Sequence, residues 1–189
     1  SALAEQAGAA AVADGDRDQL RQRLESWFTA TDGRGAVKRS GVFAYDRSKM
    51  LVGDPTATYI YFDQPAALGI GGQLPSDLDG PPPPAGAGNI FAMFTADEFG
   101  DPGGDGLRLW EFKPNFATPA ASTFTELTSE ATPIPVAAFS PLSPTGRGDV
   151  PQPGTTARLD TISDRLMFRL QYRNFGAYET LAVNHTVNV

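Results

Sequence analysis

The chain has 189 residues, 41% of them hydrophobic, which is long enough for a domain with a real core and too apolar for a disordered chain. A net charge of −7 removes the cationic surface that nucleic acid or an anionic membrane would need. The absence of cysteine excludes disulfides, thiolate metal sites and cysteine nucleophiles, and a single histidine excludes a His-rich zinc site.

Residues 1–38 read as an Ala-rich N-terminal segment. Within it, Asp14 or Asp16 caps a predicted amphipathic helix over about 17–30, with Leu20, Leu24, Trp27 and Phe28 on one face. Asp32-Gly33-Arg34-Gly35 ends that helix. Residues 39–189 read as a β domain of short apolar or alternating runs broken by glycine and proline. The runs are 41–46, 57–63, 89–95, 107–113, 122–127, 134–139, 165–173 and 179–187. In 165–173, Leu166, Phe168, Leu170 and Tyr172 alternate with Arg165, Met167, Arg169, Gln171 and Arg173. In 179–187, His185 shares a face with Leu181, Val183 and Val187. Pro-rich loops are expected at 64–88, where Pro81 to Pro84 form a stiff strap, and at 140–157. No run approaches the roughly 18 apolar residues of a membrane span, so no membrane insertion is expected.

Four strings carry a resemblance. They are Phe43 to Pro55, Leu74 to Gly80 with the prolines that follow, Leu107 to Phe112, and Asp164 to Gly176 continuing to Val183–Val187. Over about 40–189 they resemble a family of large secreted bacterial proteins of uncharacterised function. The resemblance implies β-propeller architecture and an extracytoplasmic location (secreted, periplasmic or at the cell surface). It brings no catalytic residues. Residues 1–38 depart from the blade expected before Val42, and the chain ends at Val189 where further strands are expected. The resulting fold class is mainly β: partial β-propeller-like antiparallel sheets with long loops and one N-terminal amphipathic helix. Part of a ring leaves open sheet edges, so another protein chain of the same assembly is the expected partner, the alternative being a reduced relative whose N-terminal helix covers an edge.

Candidate sites come from residue chemistry. Asp97, Glu98, Asp101 and Asp105 place hard oxygens in one turn-rich loop, a calcium-type donor set without EF-hand spacing, or plain turn chemistry. Arg165, Arg169 and Arg173 on one strand face suit a carboxylate ligand or acids on neighbouring strands. Trp110, Phe112 and Phe116 offer a sugar-stacking platform, or a core. His185 with Glu179 or Asp160 has the composition of a general base, but its apolar face favours a core histidine bonded to backbone. Arg147-Gly148-Asp149 is an integrin-type tripeptide. No residue is assigned a catalytic role, because no nucleophile elbow or paired histidines occur. The function expected is a non-catalytic structural or interaction component. The alternatives are a sialidase-like hydrolase section, with carboxylates from Asp77, Asp79, Asp160 and Glu179, and a calcium-stabilised adhesin module.

Overall fold

The computed structural model describes residues 40–64, 72–141 and 148–187. The helix expected at 17–30 lies outside them. The chain is mainly β, with 45% strand and 8% helix. Among the described residues, 40–64 with 114–122 form one compact unit, and 72–113 with 123–141 and 148–187 form a second.

In the first unit, β1 (Ser40–Tyr45) and β2 (Tyr59–Gln64) form an antiparallel hairpin. Its register opposes Phe43 to Tyr61 and Tyr45 to Tyr59, so four aromatic rings gather on one face. Val42 and Ile60 are buried on the other. A Cβ on Gly41 would come within 2.6 Å of the Tyr61 ring, so that ring crosses the strand only over glycine. A single helical turn, α1 (Arg47–Leu51), joins the strands; Asp46 caps it, accepting from the Lys49 amide at 3.3 Å and from the Ser48 hydroxyl at 2.7 Å. These hydrogen bonds, the Ser48 one first, hold the Asp46 carboxyl below its ordinary value.

The second unit is built on one sheet in the order β11-β10-β3-β4-β5-β6, with β7 beside β5, curled into a half-barrel. Its strands are β3 (Leu74–Leu78), β4 (Asn89–Thr95), β5 (Gly106–Lys113), β6 (Thr123–Glu126), β7 (Ile134–Pro135), β10 (Leu166–Asn174) and β11 (Glu179–His185). A separate ribbon pairs β8 (Val150–Pro151) with β9 (Arg158–Leu159) inside the expected 140–157 loop region and just beyond it. Strands β3 to β6 form an antiparallel meander. The junction of β10 with β3 is parallel, pairing Leu170 with Ser76 and Tyr172 with Leu78, so the sheets are not purely antiparallel as expected. Strand β3 itself falls inside the expected 64–88 loop. Its sequence, Leu-Pro-Ser-Asp-Leu, has proline at the second position and too few apolar residues to show alternation.

The main core is Ala92, Phe94, Ala96, Leu166 and Leu170, with Leu74, Leu107, Leu109, Phe139 and Val183 packed around it. The opposite face of β4 and β5 is buried as well, by Phe91, Trp110 and Phe112, with Phe124 of β6 edge-on to Phe91 and Phe112. Burial on both faces explains why β4 reads as a continuous apolar run rather than an alternation. Arg108, 4% exposed, lies on this second face; two of its nitrogens bond Glu126 at 3.0 and 2.8 Å, and its guanidinium lies over Trp110 at 5.0 Å. A buried cation persists only with such partners.

The alternation expected in 165–173 breaks once. Between Met167 and Gln171 the register against β11 shifts, and Phe168 turns out to 79% exposure while Leu166 and Leu170 stay buried. The bulge supplies extra residues on β10, so one apolar side chain of the four leaves the core face. Leu170→Ala should therefore cost about 2–5 kcal/mol in urea unfolding. Phe168→Ser, a change at the same apparent sequence phase, should stay within about 0.5 kcal/mol of the parent.

Candidate functional site

Two places carry the chemistry the sequence singled out, the acidic turn after β4 and the outer face of β10; a third lies beneath the proline strap.

In the acidic turn, oxygens of Asp97, Glu98 and Asp105 lie within 4.8 Å of one another. A 3-10 turn over Asp97–Phe99 holds the first two. Asp105 accepts from the Asp97 amide at 3.1 Å and from the Phe139 amide at 2.8 Å. Asp101, expected in the same donor set, is not grouped with them; it accepts from the Ala96 amide at 2.8 Å and closes the turn. Asp97 is raised above its ordinary value by the hydrogen bond and negative charge of Glu98, and Glu98 is lowered by the same hydrogen bond. The two carboxyls are thus coupled, each affecting the other's ionisation. Calcium takes about 6–8 oxygens, so these three carboxylates fit part of a shell, with backbone or water completing it.

On β10, the three arginines do not converge. Arg169 pairs with Asp77 at 3.1 Å and with Asp79, both on the β3 side. Arg165 binds its neighbour Asp164 at 2.8 Å, which with nearby Asp160 raises its pKa. Arg173 stacks over Phe175 at 5.0 Å. Each guanidinium is thus engaged separately, in the manner of cross-strand and local pairing. Of the four carboxylates considered for hydrolysis, Asp77 and Asp79 meet, but around Arg169. Asp160 accepts from the Ile162 amide at 2.7 Å.

Trp110 is 2% exposed and stacks on Phe124, and Phe112 is equally buried, so neither offers a ring face to a sugar. His185 keeps the apolar position expected of it: its ring lies 4.3 Å from Phe139 and 5.2 Å from Phe94. The backbone hydrogen bond expected for it is missing at one nitrogen, since Nδ1 is buried without a partner. Arg147 of the integrin-type tripeptide lies outside the described residues.

The third place has no counterpart among the sequence motifs. The strap Pro81 to Pro84 is pinned where the Asn174 carboxamide donates to the Pro82 carbonyl at 2.8 Å. The loop returning from it is anchored where the Gly88 amide donates to Glu111 of β5 at 2.9 Å. A Cβ at residue 88 would come within 2.6 Å of the Glu111 side chain and the Phe112 carbonyl, so only glycine passes there. Strap, loop, β3 and Tyr172 of β10 enclose a hollow of about 170 Å³. Set against known protein families, curated proteins and solved structures, the chain matches none.

The Glu111 carboxyl is held below its ordinary value of 4.5, chiefly by the Gly88 amide and further by Lys113. A carboxylate whose folded pKa is depressed contributes stability above its unfolded pKa and loses it as pH falls through the folded value. The urea midpoint should therefore drop as pH is lowered from about 6 to about 3, and Glu111→Gln should flatten that slope.

Proposed function

We propose that this chain is a non-catalytic structural or interaction component of a secreted or cell-surface assembly, and that the outer edge of β11 receives a strand from another chain. The observation that carries this reading is the edge itself. Strand β11 has seven residues, Glu-Thr-Leu-Ala-Val-Asn-His, and among the described strands only β10 pairs with it. Folded proteins blunt free edges with proline, lysine or very short strands. The opposite edge follows that rule, with β6 only four residues long. Strand β11 contains no proline and no lysine, and exposed apolar side chains surround it: Phe168, Phe175, Tyr178 and Leu181. An extended edge with apolar flanks is the template used in β-augmentation.

The propeller reading is supported by the β3–β6 meander, whose four antiparallel strands have the make-up of a blade. The extracytoplasmic setting rests on the resemblance over about 40–189. Among the described residues no helix is long and apolar enough to cross a membrane.

Light scattering after size exclusion tests the edge. The chain should associate as its concentration rises, and Leu181→Lys should suppress association while changing stability by no more than about 1 kcal/mol. A monomer at all concentrations, with β11 amides as protected from hydrogen exchange as those of β4, overturns the reading.

The acidic turn favours a second reading, a calcium-stabilised adhesin module, because Asp97, Glu98 and Asp105 already lie together. A cation bound only by the folded chain stabilises by RT ln(1 + [L]/Kd), about 2.7 kcal/mol at a hundredfold excess over Kd. Millimolar calcium should then raise the melting temperature of the parent and leave that of Asp97→Asn/Glu98→Gln unchanged. A melting temperature indifferent to calcium and chelator removes this reading.

A further inference from the structure

The hollow beneath the proline strap has walls that no function described above uses. Six of its residues define it: Ser76 and Leu78 of β3, Pro83 of the strap, Ala87 of the returning loop, Asn89 of β4, and Tyr172 of β10. None of its lining residues is charged, so it is not built for an ion. At about 170 Å³ it is smaller than the roughly 300–1,000 Å³ of pockets for drug-sized ligands, and it suits a single ring.

Its polar groups are left in a specific state. Tyr172 is 7% exposed, and its hydroxyl, which makes no hydrogen bond of ordinary length, lies beside the Glu179 carboxylate. With Glu179 there to take its proton, the phenol oxygen is left to accept from a ligand. The Asn89 carboxamide donates its Nδ2 to the Ser76 carbonyl at 2.9 Å, which leaves Oδ1 as an acceptor. The Ser76 hydroxyl accepts from the Ile90 amide at 3.2 Å, which leaves its own proton to donate. Phenol, carboxamide oxygen and serine hydroxyl together offer both donors and acceptors, all neutral. The Tyr172 ring, Leu78 and Pro83 supply apolar walls. That combination matches a ring with C–H faces and hydroxyl edges.

We propose that this hollow is a binding site for one neutral monosaccharide unit, with Tyr172, Asn89 and Ser76 as its hydrogen-bonding residues. The strap presets the site, because polyproline needs no ordering on binding. The site is independent of the β11 edge and does not depend on what that edge binds.

Saturation-transfer NMR on the full chain tests it, with glucose, galactose, mannose and N-acetylglucosamine as separate millimolar probes. At least one sugar should receive transfer to its ring protons. Ala87→Trp, at an exposed loop position that fills the hollow from its mouth, should abolish transfer. Tyr172→Phe and Asn89→Ala should each weaken binding at least tenfold. Because Tyr172 is also part of the wall, melting curves accompany each variant, and Asn89→Ala decides the matter if Tyr172→Phe unfolds early. Absence of transfer to all four sugars overturns the proposal, as does transfer undiminished in Ala87→Trp or in Asn89→Ala.

Discussion

The parallel junction between β10 and β3 is the constraint on which the second unit depends. It brings together segments far apart in the chain, so its closure entropy must be recovered by burial. The recovery is visible at Leu170 and Tyr172, which sit opposite Ser76 and Leu78 and are both buried. The junction carries Leu166 and Leu170 onto Ala92, Phe94 and Ala96 of the meander, completing the main core. The Asp79 amide adds a hydrogen bond to the Tyr172 carbonyl at 2.8 Å and continues the pairing to the start of the strap. One pairing thus positions the core, the roof of the hollow and the free edge of β11.

The polar residues on either side of that junction act first as braces. Arg169 holds Asp77 and Asp79 on one face, while Asn174 and Glu111 hold the strap and its returning loop. In the acidic turn, Asp101 and Asp105 spend oxygens on the amides of Ala96, Asp97 and Phe139. Carboxylates used this way fix loops that lack regular structure, since each satisfies a backbone donor that no strand would satisfy. The described loops are therefore held by side chains, from the sheet at Asn174 and Glu111 and from the turn itself at Asp101 and Asp105.

Much of the meander and the C-terminal hairpin was legible in the sequence, because local alternation and apolar runs mark β4, β5, β10 and β11 within a residue or two of their observed bounds. Strand β3 was not legible, since its stability comes from a distant parallel partner and from neighbours, while Pro75 argues locally against a strand. The bulge at Phe168 was invisible for a related reason: a period-2 pattern cannot report a register shift set by the strand opposite. Trp110 looked available because an aromatic in an alternating run reads alike whether its face meets solvent or a second layer. Of the metal set, Asp97 and Asp105 were placed together by loop proximity, whereas Asp101 was lost to backbone capping, which depends on the turn geometry. The hollow left no sequence signal, because its polar groups come from three separate segments.

The curl of the sheet connects the two ends of this account. A sheet that closes on itself satisfies every edge, whereas a half-barrel leaves two. On the β6 side the remaining edge is short and β7 lies across part of β5. On the β11 side nothing comparable exists among the described strands, and the bulge in the neighbouring β10 turns Phe168 outward. A bulge that sends one phenylalanine out of the core sacrifices burial in the isolated chain. An exposed aromatic on the strand next to an edge strand offers an incoming chain an apolar anchor as well as the backbone partners of the edge. The same bulge keeps Leu166 and Leu170 in the core on either side of it. Core packing and edge presentation are therefore reconciled within one strand.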